Sequence, residues 1–204
     1  RSAGPMHWHY PDLEDALADA PPGRPDLRNA LASSDPVVRA NAAIVLGRSG
    51  DGASMEELVS VVRNRHLRLS MRCAAAEALG YVGRASRAGQ EVGPGDPTSA
   101  LRDLIDQYGQ FGPEARARYQ PELHAELMAG LARHVDPGED VRFTAALRSP
   151  SPEVQVEALR AWASARGEVP VEAADLRTAR DGRVRAAALT MLARRRHAHA
   201  GEWL

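Results

Sequence analysis

Asp35-Pro36-Val37-Val38-Arg39-Ala40-Asn41-Ala42-Ala43-Ile44-Val45-Leu46-Gly47 is the stretch on which the reading of this chain turns. Reduced to its fixed positions it is Val38-Arg39, two free positions, Ala42-Ala43, two free positions, Leu46-Gly47. Apolar positions at i, i+4, i+5 and i+8 trace one stripe of a 3.6-period helix, and small residues mid-stripe mark where a neighbouring helix comes close. The frame returns at Met71-Arg72, Ala75-Ala76, Leu79-Gly80, at Val154-Gln155, Ala158-Leu159, Trp162-Ala163, and at Val184-Arg185, Ala188-Leu189, Leu192-Ala193. A weaker copy is Leu123-His124, Leu127-Met128, Leu131-Ala132. The starts lie at 38, 71, 123, 154 and 184, so the intervals are 33, 52, 31 and 30. Three of the four fall in a narrow band, which marks an internal repeat.

A shorter amphipathic segment precedes each frame: Leu27 to Leu31, Leu58 to Val62, Leu101 to Ile105, Val141 to Leu147, and Leu176 to Ala179. Each unit therefore reads as a first helix, a tight turn and a second helix. Asp35-Pro36 and Ser151-Pro152 set a capping side chain before a Pro in the first turn, where its missing N–H removes no hydrogen bond. Asp181-Gly182 plays a similar part. Gly47, Gly50, Gly80 and Gly83 read as left-handed stops after second helices.

The Asp, Val-Arg, Ala-Ala, Leu-Gly pattern resembles the HEAT repeat, in the short bacterial form often called phycobilisome-lyase HEAT-like. The likeness is strong over 24–83 and moderate over 138–197. It implies an all-α fold, a right-handed α-solenoid of about five HEAT-like helix pairs. The whole chain, 1–204, is then one repeat domain with units at about 12–50, 51–83, 98–135, 138–167 and 171–197. In that family the Asp and Arg brace adjacent units. Asp35 with Arg39, and Asp181 with Arg185, stand at the matching offsets and are read as structural braces. Unit two carries Arg68 where the Asp belongs, and His124 and Gln155 replace the Arg in units three and four. The ladder is expected to be weakest in the middle.

The interval of 52 holds about twenty extra residues, in two places. Residues 84–98 form a loop by their Gly and Pro content. Residues 107–121 separate the two helices of the third unit and carry Tyr108, Phe111 and Tyr119, three of nine aromatics in the chain, beside Arg116 and Arg118. Solenoid insertions emerge on one face and often bind partners, and Tyr and Arg are enriched at binding hot spots. These five residues are a candidate partner surface. The competing reading, equally weighted, is that the aromatics cover the gap of a degenerate repeat.

Composition narrows the function. Hydrophobic residues make up 44% of the chain but aromatics only 4%, so Ala, Leu and Val carry a core suited to closely packed helices. All 26 basic residues are Arg, and the net charge of −1 argues against a general nucleic-acid binder. Charge is uneven: residues 11–57 hold nine acids and four Arg, whereas 177–199 hold seven Arg and only Asp181. Simple solvated faces account for this more readily than partner steering. The single Cys73 rules out an internal disulfide or thiolate zinc cluster, and no apolar run approaches the ~20 residues of a membrane helix. Residues 1–5 read as a tag remnant before a start at Met6, and a cytoplasmic setting is expected.

Catalysis needs convergent acid, base, nucleophile or metal ligands. Cys73 sits beside an Ala-Ala pair and reads as packing. His7-x-His9 and His197-x-His199 lack a carboxylate at ligand spacing. Deoxyhypusine hydroxylase is similar in architecture but relies on His-Glu dipeptides, which do not occur here. The alkylpurine DNA glycosylases, also HEAT-like, need a strongly basic groove, and Trp162 occupies a core-facing frame position. No cofactor or metal is expected. The leading expectation is a non-catalytic scaffold whose second helices line a concave groove for another protein or peptide. Its candidate contacts are Arg39, Asn41, Arg72, Glu77, Glu126, Glu157, Arg160 and Arg183. A phycobilin-lyase-like or other enzyme-associated subunit is the first alternative, and nucleic-acid binding through the Arg-rich C-terminal end the second.

Overall fold

The computed structural model describes residues 25–82, 95–109, 119–166 and 168–195. Among these residues regular structure is helical throughout, with no strand. Five helix pairs follow one another: α1 (Pro25–Ala30) with α2 (Pro36–Arg48), α3 (Met55–Arg63) with α4 (Leu69–Leu79), and α5 (Pro97–Gly109) with α6 (Pro121–Leu131). The last two are α7 (Val141–Leu147) with α8 (Pro152–Trp162), and α9 (Val171–Asp175) with α10 (Gly182–Arg194). This is an all-α solenoid.

Within each pair the two helices pack on each other, and the second helices stack α2 on α4, α4 on α6, α6 on α8 and α8 on α10. The second helices thus form one unbroken layer. Their sequence explains why. A helix with a partner and two stack neighbours must bury several faces, and α2 buries Ala40, Ala42, Ala43, Ile44, Leu46 and Gly47. The first helix α3 buries one stripe, Leu58, Val61 and Val62, and leaves Glu56, Ser60 and Arg63 to solvent. Leu58, Leu79, Leu101, Leu123, Leu127 and Leu131 are fully buried, each stabilising the stack by about 1.5–3 kcal/mol relative to exposure.

The wide interval leaves the layer intact. A Cβ on Gly80 would stand 2.7 Å from the Gly130 Cα, so α4 and α6 touch through bare backbone. Gly47 faces Leu58 and Ala78 in the same way, a Cβ there lying 2.6 Å from the Leu58 Cδ1. These two glycines are close-approach positions and not the left-handed stops the sequence suggests: Gly80 has φ −67°. Gly50, with φ 85°, is the left-handed residue after α2. Gly83 lies outside the described residues.

Three further expectations change. The helix of the third unit runs to Gly109, because Leu101, Leu104, Ile105 and Tyr108 keep one helical stripe buried, so Tyr108 belongs to α5 and not to an insertion. The first helix of the last unit starts earlier, at Val171, and the segment from Leu176 to Thr178 is a 3₁₀ turn. Ser151 does not cap α8; its hydroxyl donates instead to the Glu153 carboxylate at 2.8 Å. Asp35 and Asp181 do cap, accepting from the Val37 N–H at 2.8 Å and from the Arg183 N–H at 2.8 Å.

Gly80→Ala should destabilise the chain by roughly 1–3 kcal/mol despite better helix propensity, because backbone stands in the new methyl's place. Gly130→Ala, whose Cβ would meet the mobile end of Leu101 at 3.2 Å and the Ala76 carbonyl at 3.3 Å, should cost less. Urea unfolding of the two variants ranks them; equal loss would mean the α4–α6 contact is looser than described.

Candidate binding groove

The residue after each frame start has a shared task. Arg39 donates to the Ser33 and Ser34 carbonyls at 2.7 and 3.2 Å, and Arg185 to those of Ala179 and Arg180 at 2.7 and 2.9 Å. Arg72 reaches the Val62 carbonyl at 2.8 Å, and Gln155 the Leu147 carbonyl at 3.0 Å. Each closes over the end of its own unit's first helix or the turn after it, where carbonyls lack intrahelical donors. Asp35 and Asp181 meanwhile hold second-helix N-termini, so Asp and Arg act at different ends of the turn. Arg39 adds a 3.4 Å contact with Glu57 of the next unit.

Arg72 is the most enclosed of these clamps, at 2% exposure. Its guanidinium also donates to the Gln120 side-chain oxygen at 2.5 Å and the Tyr108 hydroxyl at 2.6 Å, and the Tyr108 hydroxyl donates to the Val62 carbonyl at 3.1 Å. Neither residue reaches the groove surface, which corrects the expectation that Arg72 and Tyr108 meet a partner. The ladder is therefore strong at unit two, where it joins α3, α4, α5 and the start of α6. Unit three is the exception. His124 is buried and exchanges a hydrogen bond with the Tyr119 hydroxyl at 3.1 Å. Burial pushes its pKa down to about 4. Burial also raises the Tyr119 phenol, while hydroxyls of Ser149 and Ser151 pull the other way. Tyr119 thus sits half-buried between α6 and the α7–α8 turn. Phe111, Arg116 and Arg118 lie outside the described residues, as do the His7, His9, His197 and His199 positions.

Apart from the buried Ile44, the open face of the second-helix layer presents the frame positions +3, +6 and +10. These are Asn41 and Arg48 on α2, Ala74, Glu77 and Tyr81 at α4, and Glu126, Ala129 and Arg133 at α6. Glu157, Arg160 and Ser164 follow at α8, and Ala187, Thr190 and Arg194 on α10. Over α6, α8 and α10 this face sinks into a groove of about 850 Å³ with Ala125, Val156, Ala163, Ala186 and Met191 among its apolar walls. The groove brings together the expected Glu126, Glu157, Arg160 and Arg183. Glu77 lies further along the layer, paired with Arg48 at 2.6 Å. Arg39 is half-buried and Asn41 exposed, both away from the groove.

Ion pairs organise the rim. Arg160 pairs with Glu157, and Arg183 bridges Glu153 of α8 to Asp181, each at 3.1 Å. Arg133 lies over the Tyr81 ring at 4.5 Å, a cation–π contact between α6 and the end of α4. Arg48, Tyr81, Arg133 and Arg194 were missed from sequence, although adding ten to each frame start finds them all.

Residues 24–107 match the family model for HEAT repeats. That span covers α1 to α4 and most of α5, the part with the most regular frames, and supports a HEAT-repeat protein. No curated protein matches the chain. Among the described residues no group of three or more His, Cys, Asp or Glu is placed to hold a metal ion, and no helix is long and apolar enough to cross a membrane. Cys73, half-buried, has its thiol pushed up to about 12 by burial first and then by Glu126 and Glu122, the opposite of an activated nucleophile.

Arg72→Ala should cost roughly 2–4 kcal/mol of unfolding free energy, since it empties core volume and strips partners from buried polar groups. Arg39→Ala, at a part-exposed clamp, should cost under about 1 kcal/mol. Chemical denaturation separates the two. His124 gives a second test. Its folded pKa lies below its unfolded one, so its neutral form stabilises above pH 6.5 and the benefit is lost as pH falls from 6.5 to 4. His124→Leu should flatten stability across that window; an unchanged acid slope would place the titrating group elsewhere.

Proposed function

We propose that this chain is a non-catalytic scaffold that binds another protein or peptide along the open face of its second helices. HEAT repeats generally mediate protein interaction and scaffolding, and the observation that supports this use here is the groove over α6, α8 and α10. Its apolar walls and polar rim match the anatomy of a binding surface: an uncharged centre to exclude water, charged edges to set register. Stacking consumes the other faces of the second helices, so this long face is the one they leave free. Along this face Arg48 and Arg160 are engaged by carboxylates and Arg133 by a ring, and the nearby Cys73 thiol is held protonated. Kinship with the short bacterial, phycobilisome-lyase-like form, and a cytoplasmic setting, belong to the same proposal.

Peptides selected from a displayed library on the full chain should lose at least about tenfold in affinity, or ~1.4 kcal/mol, against Ala186→Arg, which fills the groove. Val171→Arg adds the same charge at a position 72% exposed and outside the groove lining, and should leave binding unchanged. Equal loss from both variants, or none from Ala186→Arg, would move the binding surface elsewhere.

A further inference from the structure

We propose that the groove over α6 and α8 receives a basic peptide segment, seating one Arg or Lys side chain at Glu126 and small apolar side chains over Val156, Ala186 and Met191. This rests on the groove's being the binding surface, and adds the chemistry of its occupant.

Three carboxylates stand on three successive second helices: Glu77 on α4, Glu126 on α6 and Glu157 on α8. The outer two have partners, Arg48 at 2.6 Å for Glu77 and Arg160 for Glu157. The middle one has no cation within ion-pair distance among the described residues, although it is half-buried in the groove wall. Its carboxyl is raised from the ordinary value by burial first, then by Glu77 and Glu157, and the opposing pull of Arg133 and Arg48 does not cancel this. Cys73 on the neighbouring helix lies in the same acidic surroundings, its thiol raised by burial first and then by Glu126 and Glu122. A desolvated carboxylate flanked by two others is unfavourable in the free chain, and an incoming cation reverses that sign.

Beyond Glu126 the groove turns apolar, and of the charged groups in that part Glu153, Glu157, Arg160 and Arg183 pair with one another while Arg194 adds a cation. Glu153 is taken up by Arg183 at 3.1 Å, and against the upward effect of burial its own backbone N–H, the Ser151 hydroxyl and Arg183 hold its carboxyl below the ordinary value. A small cation alone would leave that apolar floor uncovered, and an anionic segment would meet Glu122 and Glu126 first. A peptide with one basic residue followed by apolar ones satisfies both parts. Packed helices lie about 8–10 Å apart and an extended chain advances ~3.3 Å per residue, so the apolar side chain over α8 and α10 falls about three residues from the basic one.

The test uses the full chain and short labelled probes of Ala and Leu carrying one Arg, with matched probes carrying Gln or Glu in its place. Fluorescence anisotropy should show the Arg probe binding about tenfold tighter than the Gln probe, with the Glu probe weakest, and the preference shrinking as salt rises. Glu126→Gln should abolish the preference while leaving thermal stability equal or higher, because it removes a repelled, desolvated charge. That combination separates lost recognition from lost folding. Glu126→Arg should turn the preference toward the Glu probe. Equal affinity for Arg and Gln probes, no binding of the Arg probe, or an Arg preference that survives Glu126→Gln would each overturn the proposal. Were selected peptides without basic residues still displaced by Ala186→Arg, the groove would stand as the binding surface and only its charge preference would fall.

Discussion

Close approach of second helices is the constraint on which the rest of this structure depends. Two helices reach bare-backbone contact only where neither side chain stands between them, and Gly80 against Gly130 is such a place. Ala42-Ala43 and Ala75-Ala76 do the same work with slightly more bulk. Leucines then fill the space that the small residues leave at either side. Once the layer is fixed at this distance, each first helix lies on its outer side, and the positions at +3, +6 and +10, the buried Ile44 apart, turn to the open face. Core and binding surface are two consequences of one spacing.

The clamps at Arg39, Arg72, Gln155 and Arg185 solve a local problem this spacing creates. A first helix pressed against its partner ends at a tight turn, where the last carbonyls would otherwise need water. A long donor from the second helix supplies the bond from within. Arg72 shows how far this can go: its fork holds a carbonyl, an amide oxygen and a phenol at once. The network ties units two and three together where their separation in sequence is greatest. His124, too short to span the same gap, turns to Tyr119 instead.

Much of this was legible in the sequence, for a physical reason. Helical periodicity and small-residue placement are local signals, so the frames at 38, 71, 123, 154 and 184 located all five second helices. What sequence could not show was direction and depth. Arg72 reads like Arg39 in the frame, yet one is enclosed and the other half-open, because enclosure depends on α5, whose last turn beyond Ile105 carries Tyr108. Gly80 reads as a helix stop for the same reason: the neighbour that forbids a side chain there is fifty positions away, at Gly130. Likewise the charges facing the groove were legible as types and not as pairs. That Glu77 and Glu157 have Arg partners while Glu126 stands between them emerges only when three helices are set side by side.

The unbroken α4–α6 contact has a consequence for how such a chain can change over generations. Residues 83–94 and 110–118 separate, in the sequence, helices that still meet at the close-packed Gly80–Gly130 junction. Closing a longer loop costs only about 0.6 kcal/mol for each doubling of its length, since closure entropy grows with the logarithm of length. Added length at those two points in the sequence is therefore inexpensive, whereas a side chain at Gly80 is not. The sequence on either side of the third unit's first helix is thus where length can accumulate with the least penalty to the packed layer.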